Sequence, residues 1–184
     1  MGQIRSPLPV KLFFGMLSPE PGLFDECSQI LQREFGPINS GSECMPWDIS
    51  DYYREEMGPN IFRKFLFFER TADPGRLSSI KRFTNDLENK YTVNAAQGLR
   101  RRINIDPGYV TEAKVVLAST KDFAHRVYIG DGIYAEVTLR FSSKDRSFVP
   151  HEYTYPEFRT KPYLAMFDIV REDLRANLHA TPRT

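Results

Sequence analysis

The sequence has 184 residues, of which 41% are hydrophobic, 27% are charged and 13% are aromatic. This length predicts one globular domain over residues 1–184, and the aromatic content excludes an intrinsically disordered chain. The formal net charge of +1 excludes a general polyanion-binding protein, so DNA is not an expected partner.

The first half of the chain predicts alternating strands and helices. Residues 10–17 form a nearly continuous apolar run, typical of a central strand that is covered on both faces. Ser18-Pro19, followed by apolar residues at helical spacing, predicts the start of a helix. After an extended stretch, residues 61–69 predict a second apolar strand, and Asp73-Pro74 begins a second helix. Residues 102–106 then alternate with period two, which predicts another strand.

This order, β-α-β-β-α-β, is that of the ferredoxin-like split unit, in which two helices cover one face of a four-stranded antiparallel sheet. Pro107-Gly108 is predicted to end its last strand. The next segment, residues 109–118, suits a short helix as well as a strand.

A hairpin follows, and its register bears on function. A two-residue loop would pair apolar residues with polar ones, which the alternation of side chains along a strand disfavours. A three-residue loop over residues 130–132 instead pairs Val127 with Ala135 and Arg126 with Glu136. Glycine at the third loop position allows the positive φ that such loops need. We therefore predict the three-residue loop.

The chain closes with a short strand at residues 148–149 and a helix over residues 163–178. The predicted fold is therefore α+β: a ferredoxin-like β-α-β-β-α-β half, extended by an antiparallel β-meander and a C-terminal helix.

The hairpin supplies the first group of candidate site residues. Arg126, Tyr134 and Glu136 share its less apolar face. A cross-strand ion pair explains Arg126 and Glu136, and an anion or metal site is the alternative. His125 shares the apolar face with Val127, which favours a buried core histidine; at the hairpin mouth it would be a general base.

The second group lies on the strand after the basic run at residues 100–102. Arg102, Asn104 and Asp106 share one face of this strand. Arginine suits phosphate, and an aspartate at a strand end suits a divalent ion that bridges phosphates. A solvated basic edge that prevents strand pairing is the alternative.

The third group is the acidic and aromatic stretch of residues 47–53. Asp48 and Asp51 could ligate a hard cation, whereas exposed aromatic side chains would mark a partner surface. The aromatic residues concerned are Trp47, Tyr52 and Tyr53.

Several common site motifs are absent from the sequence. It has no phosphate-binding loop of the G-x-x-x-x-G-K-[ST] type, no G-x-G-x-x-G and no C-x-x-C. No stretch approaches the roughly 18 apolar residues that a membrane span needs, and residues 8–17 do not fit a signal peptide. We therefore expect a cytoplasmic protein without a membrane partner.

Four quoted segments carry a resemblance to a known family: residues 51–58 (DYYREEMG), 104–109 (NIDPGY), 132–139 (GIYAEVTL) and 154–156 (TYP). Together with Thr120-Lys-Asp122 and His125-Arg126, they resemble the bacterial family called domain of unknown function 4416. The resemblance implies a bacterial cytoplasmic protein and no specific reaction. Some members carry the description "GTP-binding protein", but this sequence lacks the P-loop, D-x-x-G and the N/T-K-x-D motif.

Three functions remain open. The first is a small enzyme or ligand-binding domain for a phosphorylated or nucleotide-like anion. The second is a non-catalytic protein-interaction module, and the third is RNA binding through an aromatic sheet face, which the neutral charge disfavours. In the first function, the anion would be bound by Arg102, Asn104, Lys114, Lys121 and Arg126. A divalent ion, Mg²⁺ or Mn²⁺, would be held by Asp106 and Glu136. His125 or Tyr134 would transfer protons.

Overall fold

The structure, a computed structural model, describes residues 2–49, 53–95 and 98–180. Its described strands form a nine-stranded antiparallel sheet and a separate two-stranded ribbon. The strands are β1 (Val10–Ser18), β2 (Ile38–Gly41), β3 (Met45–Pro46), β4 (Phe62–Ala72), β5 (Thr92–Ala95), β6 (Gly98–Arg101), β7 (Asn104–Val110), β8 (Lys114–Ser119), β9 (Val127–Gly130), β10 (Ile133–Ser142) and β11 (Ser147–Pro150). The helices are α1 (Gly22–Phe35), α2 (Arg54–Met57), α3 (Leu77–Lys90) and α4 (Lys161–Ala180), with 3-10 turns at Pro74–Arg76 and Pro156–Arg159.

Four strands form the ferredoxin-like half, which confirms the predicted topology. They lie in the order β7-β1-β4-β2. Strand β1 runs antiparallel to both β4 and β7, and β2 runs antiparallel to β4. This is the pairing that a β-α-β-β-α-β unit produces when its two halves interleave.

The apolar run in β1 is explained by helices on both faces of the sheet. Leu12, Phe14 and Met16 pack with α1 and α3 in one core cluster. Phe13 points to the opposite face and packs with α4 in a second cluster. Side chains alternate along a strand, so a strand covered on both faces must be apolar throughout.

The second half of the chain extends this sheet by the order β7-β8-β10-β11, with β9 paired to β10. Helix α4 covers the face opposite α1 and α3. Its buried residues recur at helical spacing and include Tyr163, Phe167, Val170 and Leu174. The β-meander and the C-terminal helix of the predicted fold are thus confirmed.

The predictions made for Pro107-Gly108 and for Ser18 are wrong. Pro107-Gly108 does not end β7, which continues to Val110 along β1. Gly108 is needed there by close packing, because a Cβ would lie 2.5 Å from both a ring carbon of Phe13 and the backbone oxygen of Val116. Ser18 belongs to β1 and its hydroxyl bonds the backbone of Glu20, so it does not cap α1.

The ambiguous segment at residues 109–118 is extended: it completes β7 and forms most of β8. The predicted three-residue loop is wrong: Gly130 pairs with Ile133, so the hairpin closes with the two-residue loop Asp131-Gly132. Both loop residues have positive φ, as a two-residue hairpin turn of this kind needs. A register shift after Ile133 restores the predicted pairing, with Tyr128 opposite Tyr134 and Val127 opposite Ala135. Among the described helices, none is both long and apolar enough to cross a membrane.

Candidate functional site

A cleft opens in the middle of the sheet where β7 and β8 stop pairing. The two strands pair from Val110 opposite Val115 to Gly108 opposite Leu117, and no further toward the start of β7. A cavity of about 360 Å³ lies in this opening. Its lining includes cationic side chains (Arg63, Lys81, Arg101, Lys121 and Arg126) and carboxylates (Asp106, Glu136 and Glu157).

Side chains from α3 take the place of a strand at the open edge of β7. The backbone N–H of Ile105 donates to Glu88 Oε1 at 2.7 Å, and its carbonyl accepts from Lys81 Nζ at 2.9 Å. Lys81 Nζ also donates to Asp106 Oδ1 at 2.9 Å. The backbone of Ile105 is therefore satisfied without β8, at the point where the cavity lies.

Charges near this edge shift one another's pKa values. Burial would lower the pKa of Lys81, but the carboxylates of Asp106 and Glu88 outweigh it and raise that pKa above its ordinary value. Burial opposes ionisation of Asp106, yet Lys81 holds its pKa below the usual range. Burial raises the pKa of Glu88. Lys81 and Asp106 therefore form an ion pair at neutral pH.

Arg126 builds the opposite wall of the cleft. Its Nε donates to Glu136 Oε2 at 2.8 Å, and its Nη2 donates to the Tyr155 hydroxyl at 2.8 Å. Its Nη1 donates to Ser119 Oγ at 2.6 Å and to the Lys121 carbonyl at 3.1 Å. These bonds join the ends of β8 and β10 to the loop before the last 3-10 turn, so Arg126 fixes the shape of this wall.

Two residues of the lining each have a buried donor that lacks a hydrogen-bond partner in the described part of the chain. The donors are the indole Nε1 of Trp47 and the Nε of Arg63. Trp47 is 6% exposed and Arg63 is 4% exposed. Arg63 Nη2 donates to Glu157 Oε1 at 3.0 Å, so its charge is balanced while its Nε remains unused. Buried polar groups are normally satisfied, so this pair needs an explanation.

The cleft brings together five of the nine predicted site residues. All five lie in its lining: Asn104, Asp106, Lys121, Arg126 and Glu136. Asn104 Nδ2 donates to Asp106 Oδ2 at 2.7 Å, as expected from their shared strand face. Arg126 and Glu136 form the predicted ion pair, and Thr138 Oγ1 also donates to Glu136.

Three predicted residues lie elsewhere. Arg102 pairs with Glu20 outside the lining, because β7 begins only at Asn104 and the period-two pattern does not extend back to residue 102. Lys114 is exposed at the opposite end of β8. Tyr134 packs edge-on against Tyr128 with ring centroids 5.5 Å apart, and it is not part of the lining.

His125 lies beside the cleft, and its predicted place on an apolar strand face is wrong. Strand β9 begins only at Val127, which is itself 66% exposed, so His125 falls in the preceding turn. Its Nε2 lies 3.1 Å from Glu136 Oε2, and its ring stacks on Tyr153 with centroids 4.4 Å apart. His125 thus contacts a residue of the lining without belonging to it.

The predicted metal ligands are occupied by other partners. Asp106 accepts from Lys81 and Asn104, and Glu136 accepts from Arg126. Within the described residues, no group of three or more His, Cys, Asp or Glu side chains could hold a metal ion. The described geometry therefore gives no support to a Mg²⁺ or Mn²⁺ site here. Of the two other proposed ligands, Asp48 is exposed and is not part of the lining. Asp51 lies outside the described residues, as does Tyr52.

Several lining residues were not predicted, because their positions depend on tertiary packing. The sequence does carry a signal for Lys81. It lies one turn after Leu77 and one turn before Thr84 on the buried stripe of α3, and a buried lysine needs an ionic partner. Arg101 belongs to the basic run at residues 100–102, which gives no sign of its partners, and it donates to Glu56, Glu88 and Asn104. Arg63 and Asn85 gave no local signal.

Comparison with known proteins places the chain in a family. The family model described as "Domain of unknown function (DUF4416)" matches residues 8–174. The chain belongs to this family. No curated protein and no solved structure matches it. The segments that resemble this family contribute residues to the cleft lining. These residues are Asn104, Asp106, Lys121, Arg126 and Glu136.

Proposed function

We propose that this DUF4416 protein is a domain that binds a small nucleotide-like molecule in the cleft between β7 and β8. One observation carries the proposal: Trp47 and Arg63, each of which has a buried donor without a partner in the described part of the chain, line the same cavity. Leaving a buried donor unsatisfied costs about 1–3 kcal/mol. A ligand with oxygen or nitrogen acceptors would recover this free energy on binding.

The size and composition of the cavity support a small-molecule ligand. Its volume of about 360 Å³ lies toward the lower end of the range for ligand pockets, which is roughly 300–1,000 Å³. Such pockets combine aromatic walls with a few polar groups that fix the orientation of the ligand. The aromatic side chains of this lining are Trp47, Tyr53, Phe123, Tyr155 and Phe158.

The other two functions have weaker support. An interaction module was expected to present Trp47 to a partner, but this side chain is buried. RNA binding was expected to use aromatic residues on an open sheet face. The central strands instead have α1 and α3 on one face and α4 on the other. Neither of these two functions accounts for a cavity whose lining residues have unpartnered donors.

Calorimetry and thermal unfolding test the proposal. We expect a nucleobase, nucleoside, nucleotide or sugar phosphate in a screening panel to bind. At about 100 times its dissociation constant, the ligand should add about 2.7 kcal/mol of stability, or roughly 5–10 °C in the unfolding midpoint. The variant Thr120→Trp places a bulky ring at an exposed position of the lining and should abolish binding.

Lys144→Trp is the matched control, because Lys144 is an exposed turn residue outside the lining. It should bind like the wild type. A panel without any hit, or a hit whose affinity Thr120→Trp leaves unchanged, would contradict a ligand in this cleft.

A further inference from the structure

The buried cations of the cleft already have carboxylate partners. Arg126 Nε lies 2.8 Å from Glu136 Oε2, with both side chains almost fully buried. Arg63 Nη2 lies 3.0 Å from Glu157 Oε1. In each pair one positive charge is balanced by one negative charge, so neither pair attracts a further anion strongly.

On the α3 side, two cations have three carboxylate partners. Lys81 Nζ lies 2.9 Å from Asp106 Oδ1 and 3.6 Å from Glu88 Oε1. Arg101 pairs with both Glu56 and Glu88. A di- or triphosphate in this cavity would have to lie beside these carboxylates. Like charges at short range in a partly buried site repel one another strongly.

Some side chains of the lining can still form hydrogen bonds to a ligand, although the buried charges are already paired. Trp47 Nε1 and Arg63 Nε are the unpartnered donors described above. The amide of Asn85, on α3, also lines the cavity and makes no hydrogen bond within the described part of the chain. An amide both donates and accepts, so the three groups together can recognise a neutral polar edge.

Aromatic rings at the mouth favour a flat ligand. Phe123 is 47% exposed and Tyr155 is 40% exposed, and both belong to the lining. The planar guanidinium of Arg126 lies over the Phe123 ring, with Cζ 4.6 Å from the centroid. Exposed rings of this kind offer stacking surfaces for a heterocycle, whose flat π face a sugar phosphate lacks.

We infer that the cleft recognises a planar heterocycle that carries at most one negative charge, such as a nucleobase or nucleoside. Trp47, Arg63 and Asn85 bond its polar edge, and a polyphosphate group contributes little to affinity. This inference rests on the proposed function and specifies the chemical class of its ligand.

Calorimetric titrations test the inference with defined probes: adenosine, guanosine, cytidine, uridine, their mono- and triphosphates, and a hexose phosphate. We expect at least one nucleoside to bind, with its triphosphate less than about tenfold tighter. Affinity should change little when the salt concentration is raised. Salt screens the attraction between charges, whereas it has little effect on hydrogen bonding and stacking.

A triphosphate or hexose phosphate that binds more than about tenfold tighter than every nucleoside, and loses affinity in salt, would overturn the inference. That result would leave the proposed function intact, since the cleft would still hold a small molecule. If none of the probes binds, the proposed function fails as well.

The variant Asn85→Ala tests how the heterocycle is held. It removes a side chain without hydrogen-bond partners, so folding should be preserved, and we expect nucleoside affinity to fall about tenfold. Asn89→Ala is the matched control, because Asn89 is an asparagine on the same helix that is exposed and lies outside the lining. Equal affinity in both variants would overturn the assigned role of Asn85.

Discussion

Arg126 and Glu136 meet inside the wall of the cleft, where the guanidinium Nε donates to the carboxylate Oε2 at 2.8 Å. Both side chains are at most 2% exposed. Arg126 also bonds Ser119, the Lys121 carbonyl and Tyr155, so this one pair connects β10 to the segments on either side of the cleft mouth. The shape of the cavity therefore depends on this ion pair.

Removal of one partner from this pair should be strongly destabilising. We expect Glu136→Ala to lower the free energy of unfolding by about 3–5 kcal/mol, because the charge of Arg126 is left buried without its partner. Urea unfolding followed by circular dichroism measures this loss. Asp25→Ala is the control, since Asp25 pairs with Lys64 at 3.4 Å on the surface and should cause little change. Similar losses in the two variants would contradict the buried pair.

The ion pair of Lys81 and Asp106 predicts a specific dependence of stability on pH. The pKa of Asp106 in the folded protein lies below its ordinary value of 3.8, owing mainly to Lys81, which outweighs the opposing effect of burial. Its stabilising contribution is thus present above pH 3.8 and is lost as the pH falls through the folded-state pKa.

Asp106→Asn should therefore destabilise the protein by roughly 1–3 kcal/mol at neutral pH. The difference from the wild type should shrink once the pH falls below 3.8. Urea unfolding at a series of pH values measures both quantities. Asp86→Asn, at an exposed position of the same helix as Lys81, serves as the control. A difference between Asp106→Asn and the wild type that is constant with pH would count against the pair.

Close packing at Gly108 predicts a large effect of a single methyl group. A Cβ at this position would lie 2.5 Å from the backbone oxygen of Val116 as well as from Phe13, so β8 would have to move. We expect Gly108→Ala to cost at least about 2 kcal/mol in unfolding free energy.

Gly22→Ala is the matched control, since a Cβ there has no atom within 4 Å. Gly22 is the first residue of α1, so alanine should be neutral or stabilising by up to about 1 kcal/mol. Thermal unfolding of the two variants measures the contrast. A Gly108→Ala protein as stable as Gly22→Ala would show that β7 and β8 approach less closely than described.

The sequence predicted the parts of the fold that depend on local pattern. The apolar run of β1 and the helical stripes define the ferredoxin-like half, and side-chain alternation alone set the hairpin register that brings Arg126 to Glu136. Asn104 and Asp106 were placed on one face for the same reason. In these cases the signal lies within a few neighbouring residues.

The remainder of the site depends on which distant elements pack together. Nothing near Arg63 or Trp47 in the chain indicates that β4 and the segment before α2 meet at the floor of a cleft. Arg102 was preferred to Arg101 because the strand was predicted to begin two residues too early. The cleft itself arises where pairing between β7 and β8 stops, and hydrophobic periodicity carries no information about that.

The indole N–H of Trp47 offers the most direct test of the central claim. The chain has one Trp, so its ¹H–¹⁵N spectrum contains one indole signal, which reports on the cleft alone. We predict that a binding nucleoside or nucleotide moves this signal downfield, because its acceptor bonds the unpartnered Nε1. A signal that stays in place throughout the probe series, including any compound shown by calorimetry to bind, would contradict a ligand in this cleft.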